Sequence, residues 1–148
     1  MTPLQDTIDR FTYVLNTVPP LLHKLEENSF SIKPAPEKWS KKEILGHLID
    51  SASNNHQRFV RAQFEDTPNI AYDQNKWNEF SYHYLMRKDD LIDFWLDYNR
   101  YLLKLIKHIP SFKLSKKVKV GDDIHSLQFI IEDYLVHMEY HLKQIVNY

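Results

Sequence analysis

Residues 134–145 read Tyr134-Leu-Val-His137-Met-Glu-Tyr-His141-Leu-Lys-Gln-Ile145, and this stretch decides the fold. Its apolar residues continue a three- and four-residue spacing that begins at Leu127, which is typical of an amphipathic helix. His137 and His141 stand four residues apart, so both imidazoles lie on one side of that helix and can reach one point in space. Two histidines seldom complete a metal site. The stretch therefore predicts a helical bundle in which another helix supplies a third ligand.

The composition agrees with a helical domain. The 148 residues are 43% hydrophobic and 14% aromatic, which indicates a globular chain with large side chains in its interior. Only two glycines occur, which disfavours a turn-rich β-sandwich and a glycine-rich phosphate loop. We therefore predict one all-α domain over residues 1–148, a four-helix bundle with long connecting loops.

The net charge and the absence of cysteine limit which partners and which metal ligands the chain can have. A net charge of −1 gives no electrostatic reason to expect nucleic acid or an anionic membrane as a partner. The absence of cysteine excludes disulfides, a thiolate nucleophile and a cysteine zinc site, so a metal must be held by nitrogen and oxygen. The first residues lack a basic region followed by an apolar run, and no long apolar stretch occurs, so we expect a soluble, cytoplasmic protein.

Four segments carry the periodicity of long helices. The first covers about residues 3–28, where Pro19 and Pro20 should kink or divide it. The second should begin at Lys41, after the capping box formed by Ser40 and Glu43, and end near residues 66–68. The third covers residues 88–109. The last should be capped by an aspartate, Asp122 or Asp123, after a short extended segment around residues 118–120.

The third histidine ligand is best sought on the second helix. His47 lies in the middle of that helix on an unusually polar stripe, which either lines a pocket or forms a solvated face. His56, centred on the apolar face of the same helix, is the rival ligand. The remaining histidines lie nearer helix ends or loops; they are His23, His83, His108 and His125.

Two familiar histidine motifs do not fit residues 137–141. In the zincin motif the acid directly follows the first histidine, whereas Glu139 follows His137 by two positions and should point away from the histidine face. A ferritin-like di-iron site requires glutamate three residues before a histidine, and neither His137 nor His141 has one.

Three motifs in order resemble the DinB/YfiT superfamily. They are residues 39–51 around His47, residues 72–77 (Tyr-Asp-Gln-Asn-Lys-Trp) and residues 133–145 around the histidine pair, so the resemblance spans nearly the whole chain. It implies a four-helix bundle in which three histidines hold a divalent metal, often zinc or nickel, at positions that match His47, His137 and His141. Dimers are common in the superfamily, so a homodimer is expected as a candidate assembly.

The resemblance implies several activities without choosing one. Members include thiol S-transferases that use low-molecular-weight thiols such as bacillithiol, a mycothiol-dependent isomerase and predicted hydrolases. We therefore expect a metal-dependent hydrolase or thiol S-transferase acting on a small molecule. The alternative is a non-catalytic bundle that binds a small molecule or a partner, with a structural or vestigial metal site.

Other polar residues are candidates for supporting roles. Asp50 and Asp133 each lie one helical turn from a proposed histidine ligand. Each carboxylate either orients that histidine by accepting a hydrogen bond from its ring or faces solvent. Arg58, Arg61 and the aromatic loop at residues 67–87 are candidate substrate contacts. That loop either closes a binding site or packs against one end of the bundle.

Overall fold

A computed structural model describes residues 2–148. The helices and strands are α1 (Gln5–His23), α2 (Glu27–Ser31), α3 (Lys41–Arg61), α4 (Gln74–Phe80), α5 (Lys88–His108), β1 (Lys117–Val120), β2 (Asp123–Ser126) and α6 (Leu127–Leu142). Short 3₁₀ turns occupy His83–Leu85 and Ser111–Lys113. The predicted four-helix bundle is confirmed, and a small hairpin is inserted before its last helix.

The four long helices pack around one apolar core. Helix α3 packs against both α5 and α6, and α1 packs mainly against α5. Large side chains that are fully buried fill the centre, among them Phe11, Phe59, Trp95 and Met138. No helix in residues 2–148 is long and apolar enough to cross a membrane. The packing places the middle of α3 beside α6, where the predicted ligands lie.

The start of α3 confirms the capping box. The Ser40 hydroxyl accepts from the Glu43 amide at 3.1 Å, and the Glu43 carboxylate accepts from the Ser40 amide at 3.1 Å. Two amides that the first turn leaves without helical partners are satisfied in this way. Helix α3 begins at Lys41 as predicted but ends at Arg61, before residues 66–68.

Ser40→Ala should lower the free energy of unfolding by about 1 kcal/mol, because it removes the acceptor for the Glu43 amide. Urea unfolding monitored by circular dichroism measures this change. Ser115→Ala, at an exposed loop position, is the control and should leave stability unchanged. Equal stability of wild type and Ser40→Ala would show that the capping box does not stabilise α3.

Pro19 and Pro20 do not divide the first helix, so of the two predicted effects, a kink or a division, the division is wrong. Both lie inside α1, which ends at His23, and the separate short helix α2 follows. Each proline lacks the N–H that would bond to the carbonyl four residues before it, so α1 continues past them without those two hydrogen bonds. Val18 and Leu22 on either side are fully buried, so core packing keeps this end of α1 helical.

The predicted cap of the last helix is also wrong. Ser126, rather than Asp122 or Asp123, caps α6 by accepting from the Phe129 amide at 3.1 Å. Asp123 instead opens strand β2, which pairs antiparallel with β1 after Gly121 turns the chain at φ 65°. The extended segment predicted around residues 118–120 is therefore half of a hairpin, and that hairpin moves the start of α6 downstream.

Candidate metal centre

Three imidazoles from two helices meet inside the bundle. His47 comes from α3, and His137 and His141 come from successive turns of α6. The Nε2 atoms of His47 and His137 are 3.2 Å apart. One ligand nitrogen from each of the three rings can be chosen so that all lie within 4.8 Å of one another. The structure thus brings together the three residues that the sequence singles out.

The spacing of these nitrogens suits a tetrahedral metal ion. Zinc binds histidine nitrogen at about 2.0–2.1 Å, which places two tetrahedral ligand nitrogens about 3.3–3.4 Å apart. The 3.2 Å between His47 and His137 is close to that value. The widest spacing between ligand nitrogens of the three rings is at most 4.8 Å, and small rotations of the rings would bring it to the tetrahedral value. Three nitrogen ligands would leave a fourth position open, as catalytic zinc sites do.

Burial favours the neutral, metal-binding form of His47 and His137. His47 is 1% exposed, and its burial, together with the nearby His137 and His141, lowers its pKa to about 3. Burial also lowers the pKa of His137, while the nearby Asp133 carboxylate opposes that shift. Neutral imidazole is the ligand form, so no proton must leave these two rings before a metal binds near neutral pH.

Two residues that the sequence analysis missed orient the cluster. The Gln144 side-chain oxygen accepts from His141 Nδ1 at 2.9 Å, which leaves the lone pair on Nε2 of that ring. The Trp39 ring packs on His47 with 4.9 Å between centroids. His47 Nδ1 is buried and bonds to no atom of residues 2–148. On the Nδ1 side of the ring, packing rather than a hydrogen bond within the described chain therefore holds His47 in place.

A polar cavity of about 130 Å³ adjoins the cluster at His137. Its lining combines the polar stripe of α3 with residues of α6 and of the loop before α4; the lining residues are Ser51, Asn55, Arg58, Tyr72, Ile130, Asp133, Tyr134 and His137. Ser51, Asn55 and Arg58 are buried rather than solvated. The stripe therefore lines a pocket, which is one of the two interpretations that the sequence left open.

A family model described as "protein of unknown function" (DUF1572) matches residues 2–148. The chain belongs to the DUF1572 family. No curated protein matches the sequence significantly.

Two solved structures share the fold of this DUF1572 protein. One is YfiT from Bacillus subtilis, which is described as a probable metal-dependent hydrolase with an unusual four-helix bundle topology. It superposes with a TM-score of 0.79 at 20% sequence identity, and the match covers 93% of this chain and 82% of YfiT. A mutant of the mycothiol-dependent maleylpyruvate isomerase superposes with a TM-score of 0.71 at 14% identity, covering 93% of this chain and 60% of the isomerase. The predicted resemblance to the DinB/YfiT superfamily is thereby confirmed at the level of the fold.

Asp50 is engaged by a histidine that the sequence analysis placed in a loop. His83 Nε2 lies 3.0 and 3.1 Å from the two Asp50 carboxylate oxygens, and both residues are buried. Gly46 permits this arrangement, because a Cβ added there would lie 2.2 Å from the His83 ring. The role predicted for Asp50 in orienting a ligand stays a prediction. Asp133 is exposed and lines the cavity beside His137.

Other candidate residues of this DUF1572 chain lie outside the cluster. His56, the rival third ligand, is bonded to the Tyr98 hydroxyl at 2.8 Å. Arg61, a candidate substrate contact, forms an ion pair with Glu65 at 2.6 Å and does not line the cavity. Glu139 accepts from Arg10 of α1 and from Tyr148, so it is turned away from the histidines as the sequence predicts.

Proposed function

We propose that this protein is a metal-dependent enzyme, either a hydrolase or a low-molecular-weight-thiol S-transferase. In this proposal His47, His137 and His141 bind one divalent cation, zinc or nickel. The observation that carries the proposal is the convergence of three imidazole rings from two helices beside a polar cavity. A single buried histidine is usually structural, whereas three with ligand spacing and a neighbouring pocket match the design of catalytic metal sites.

The chain's own residues would bind and orient the reacting groups. Gln144 holds the His141 ring with its Nε2 lone pair available, and Trp39 packs on His47. Burial of His47 limits access of solvent from the α3 side. A divalent cation, when bound, supplies Lewis acidity that makes water or a thiol a nucleophile near neutral pH. The cavity beside His137 gives a small substrate room next to the cluster.

The two solved structures support both reactions in the proposal, hydrolysis and thiol transfer. YfiT is described as a probable metal-dependent hydrolase, and the isomerase is described as mycothiol-dependent. Hydrolysis and thiol chemistry therefore both occur in descriptions of proteins with this fold. The absence of cysteine in the chain means that any thiol must come from a second small molecule.

Rate assays on zinc- and nickel-loaded protein test the proposal. Ester and amide substrates test hydrolysis, and bacillithiol or glutathione with a generic electrophile tests thiol transfer. We expect a rate in one of these assays that His47→Ala lowers by at least about 100-fold and that His108→Ala, an exposed histidine on α5, leaves unchanged. A protein that binds metal but shows no rate above His47→Ala would be a non-catalytic binding bundle.

A further inference from the structure

Arg58 is a buried cation whose hydrogen-bond partners in the described part of the chain are neutral. It is 8% exposed. Its Nε and one terminal nitrogen donate to the Ile70 carbonyl at 3.1 and 2.8 Å, and the other terminal nitrogen donates to the Asn55 side-chain oxygen at 3.1 Å. A guanidinium has five N–H groups, so one on each terminal nitrogen remains available.

Such a charge is unusual in a protein interior. Burying a guanidinium beside neutral acceptors is unfavourable. Burial lowers the pKa of Arg58, while the nearby Asp133 carboxylate opposes that shift, and arginine keeps its charge near neutral pH. Arg61, one turn along the same helix, shows the ordinary arrangement, since it pairs with Glu65 at the surface. The bonds to Ile70 and Asn55 fix the Arg58 side chain without neutralising it.

The cavity places Arg58 and His137 on the wall of one small space. Its volume of about 130 Å³ is comparable to a cavity of about 150 Å³ that accommodates benzene, so it suits a small group rather than a polymer. Ser51 and Tyr72 add hydroxyl groups to the wall. A molecule that reached the histidine cluster through this space would pass against the guanidinium.

We propose that Arg58 binds a carboxylate of the substrate and directs the rest of the molecule toward His137. This inference rests on the proposed function for the identity of the bound molecule as a substrate. The two remaining N–H groups equal in number the two oxygens of a carboxylate, the anion that guanidinium groups bind through paired hydrogen bonds. Asp133 lines the same cavity, and its negative charge opposes every anion, a dianion such as phosphate more strongly than a monocarboxylate, while it attracts an ammonium group. The ligand class is therefore small monocarboxylic acids, with or without an amino group.

Calorimetric titration of the full chain with propionate tests this assignment. Propionate should bind, propionamide of the same shape should bind at least tenfold more weakly, and inorganic phosphate should not compete. Arg58→Gln should weaken propionate binding at least tenfold, and Arg58→Lys should recover only part of it because lysine lacks the two-pronged geometry. Arg61→Gln is the matched control and should bind propionate like wild type. Equal binding of propionate and propionamide by wild type would overturn the inference whether or not Arg58→Gln folds.

The titration is performed on protein as purified and after treatment with EDTA, which separates the two proposals. Arg58-dependent binding of propionate supports the carboxylate site even if the chain retains no metal, which would contradict the proposed function alone. A chain that holds one metal ion but binds propionate equally well with Arg58→Gln keeps the proposed function and overturns this inference.

Discussion

Replacing His137 by alanine is expected to abolish the stabilisation that zinc or nickel gives to the protein. A ligand that binds only the folded state stabilises it by about 2.7 kcal/mol at one hundred times its Kd. For a chain of this size that corresponds to a rise in Tm of about 5–10 °C in wild type. The Nε2 atoms of His137 and His47 lie 3.2 Å apart in the cluster, so the loss of His137 leaves too few ligands to hold the ion. Thermal unfolding with and without added metal measures the difference.

The control for this experiment is His108→Ala. His108 is exposed near the end of α5 and bonds only to the Lys104 carbonyl of its own helix among residues 2–148, so its removal changes the histidine count without touching the cluster. The control should keep the full rise in Tm. An equal rise in His137→Ala would place the metal elsewhere.

Gly46→Ala is expected to destabilise the protein by about 2–4 kcal/mol, although alanine is the better helix former by about 1 kcal/mol. The added Cβ would lie 2.2 Å from Cγ of His83, a distance at which one group must move. His83 is buried and bonded to both Asp50 oxygens, so moving it leaves a buried carboxylate without its partner. Urea unfolding gives the change in free energy.

A double-mutant cycle with His83→Ala identifies the cause of that loss. His83→Ala alone should destabilise the protein, because Asp50 loses its partner. In the His83→Ala background, Gly46→Ala should cost less than it does in wild type, because the ring it would meet is gone and only the Cβ of residue 83, at 2.6 Å, remains in its way. If the two substitutions instead add, the close approach of Gly46 and His83 is not what makes glycine necessary.

The sequence predicts the features that arise from residues three or four apart, such as the capping box and the histidine pair. The reciprocal bonds of Ser40 and Glu43 fix the start of α3, and they involve residues three apart, so the sequence alone reveals them. The histidine pair on α6 is also a local pattern. The cap of α6 was mispredicted because it depends on the hairpin, whose pairing of Lys117 with Ser126 decides where the helix can begin.

The rest of the site depends on contacts between distant residues. The Asp50–His83 pair joins positions 33 apart through a loop in which Tyr82 adopts φ 56°, and no periodicity predicts that conformation. Arg58 and Arg61 look alike in sequence, yet the Ile70 carbonyl that holds Arg58 comes from a later loop. Gln144 is different, because its position three residues after His141 on the same helix was a signal that could have identified it.

Metal stoichiometry tests the central claim most directly. Protein purified without a histidine tag is dialysed against zinc or nickel and then against metal-free buffer, and the retained metal is measured by plasma mass spectrometry. The three-histidine site predicts one ion per chain in wild type and in His56→Ala, and none in the double variant His47→Ala/His137→Ala. Wild type that retains no metal, or a double variant that retains as much as wild type, would contradict the assignment of His47, His137 and His141 as a metal centre.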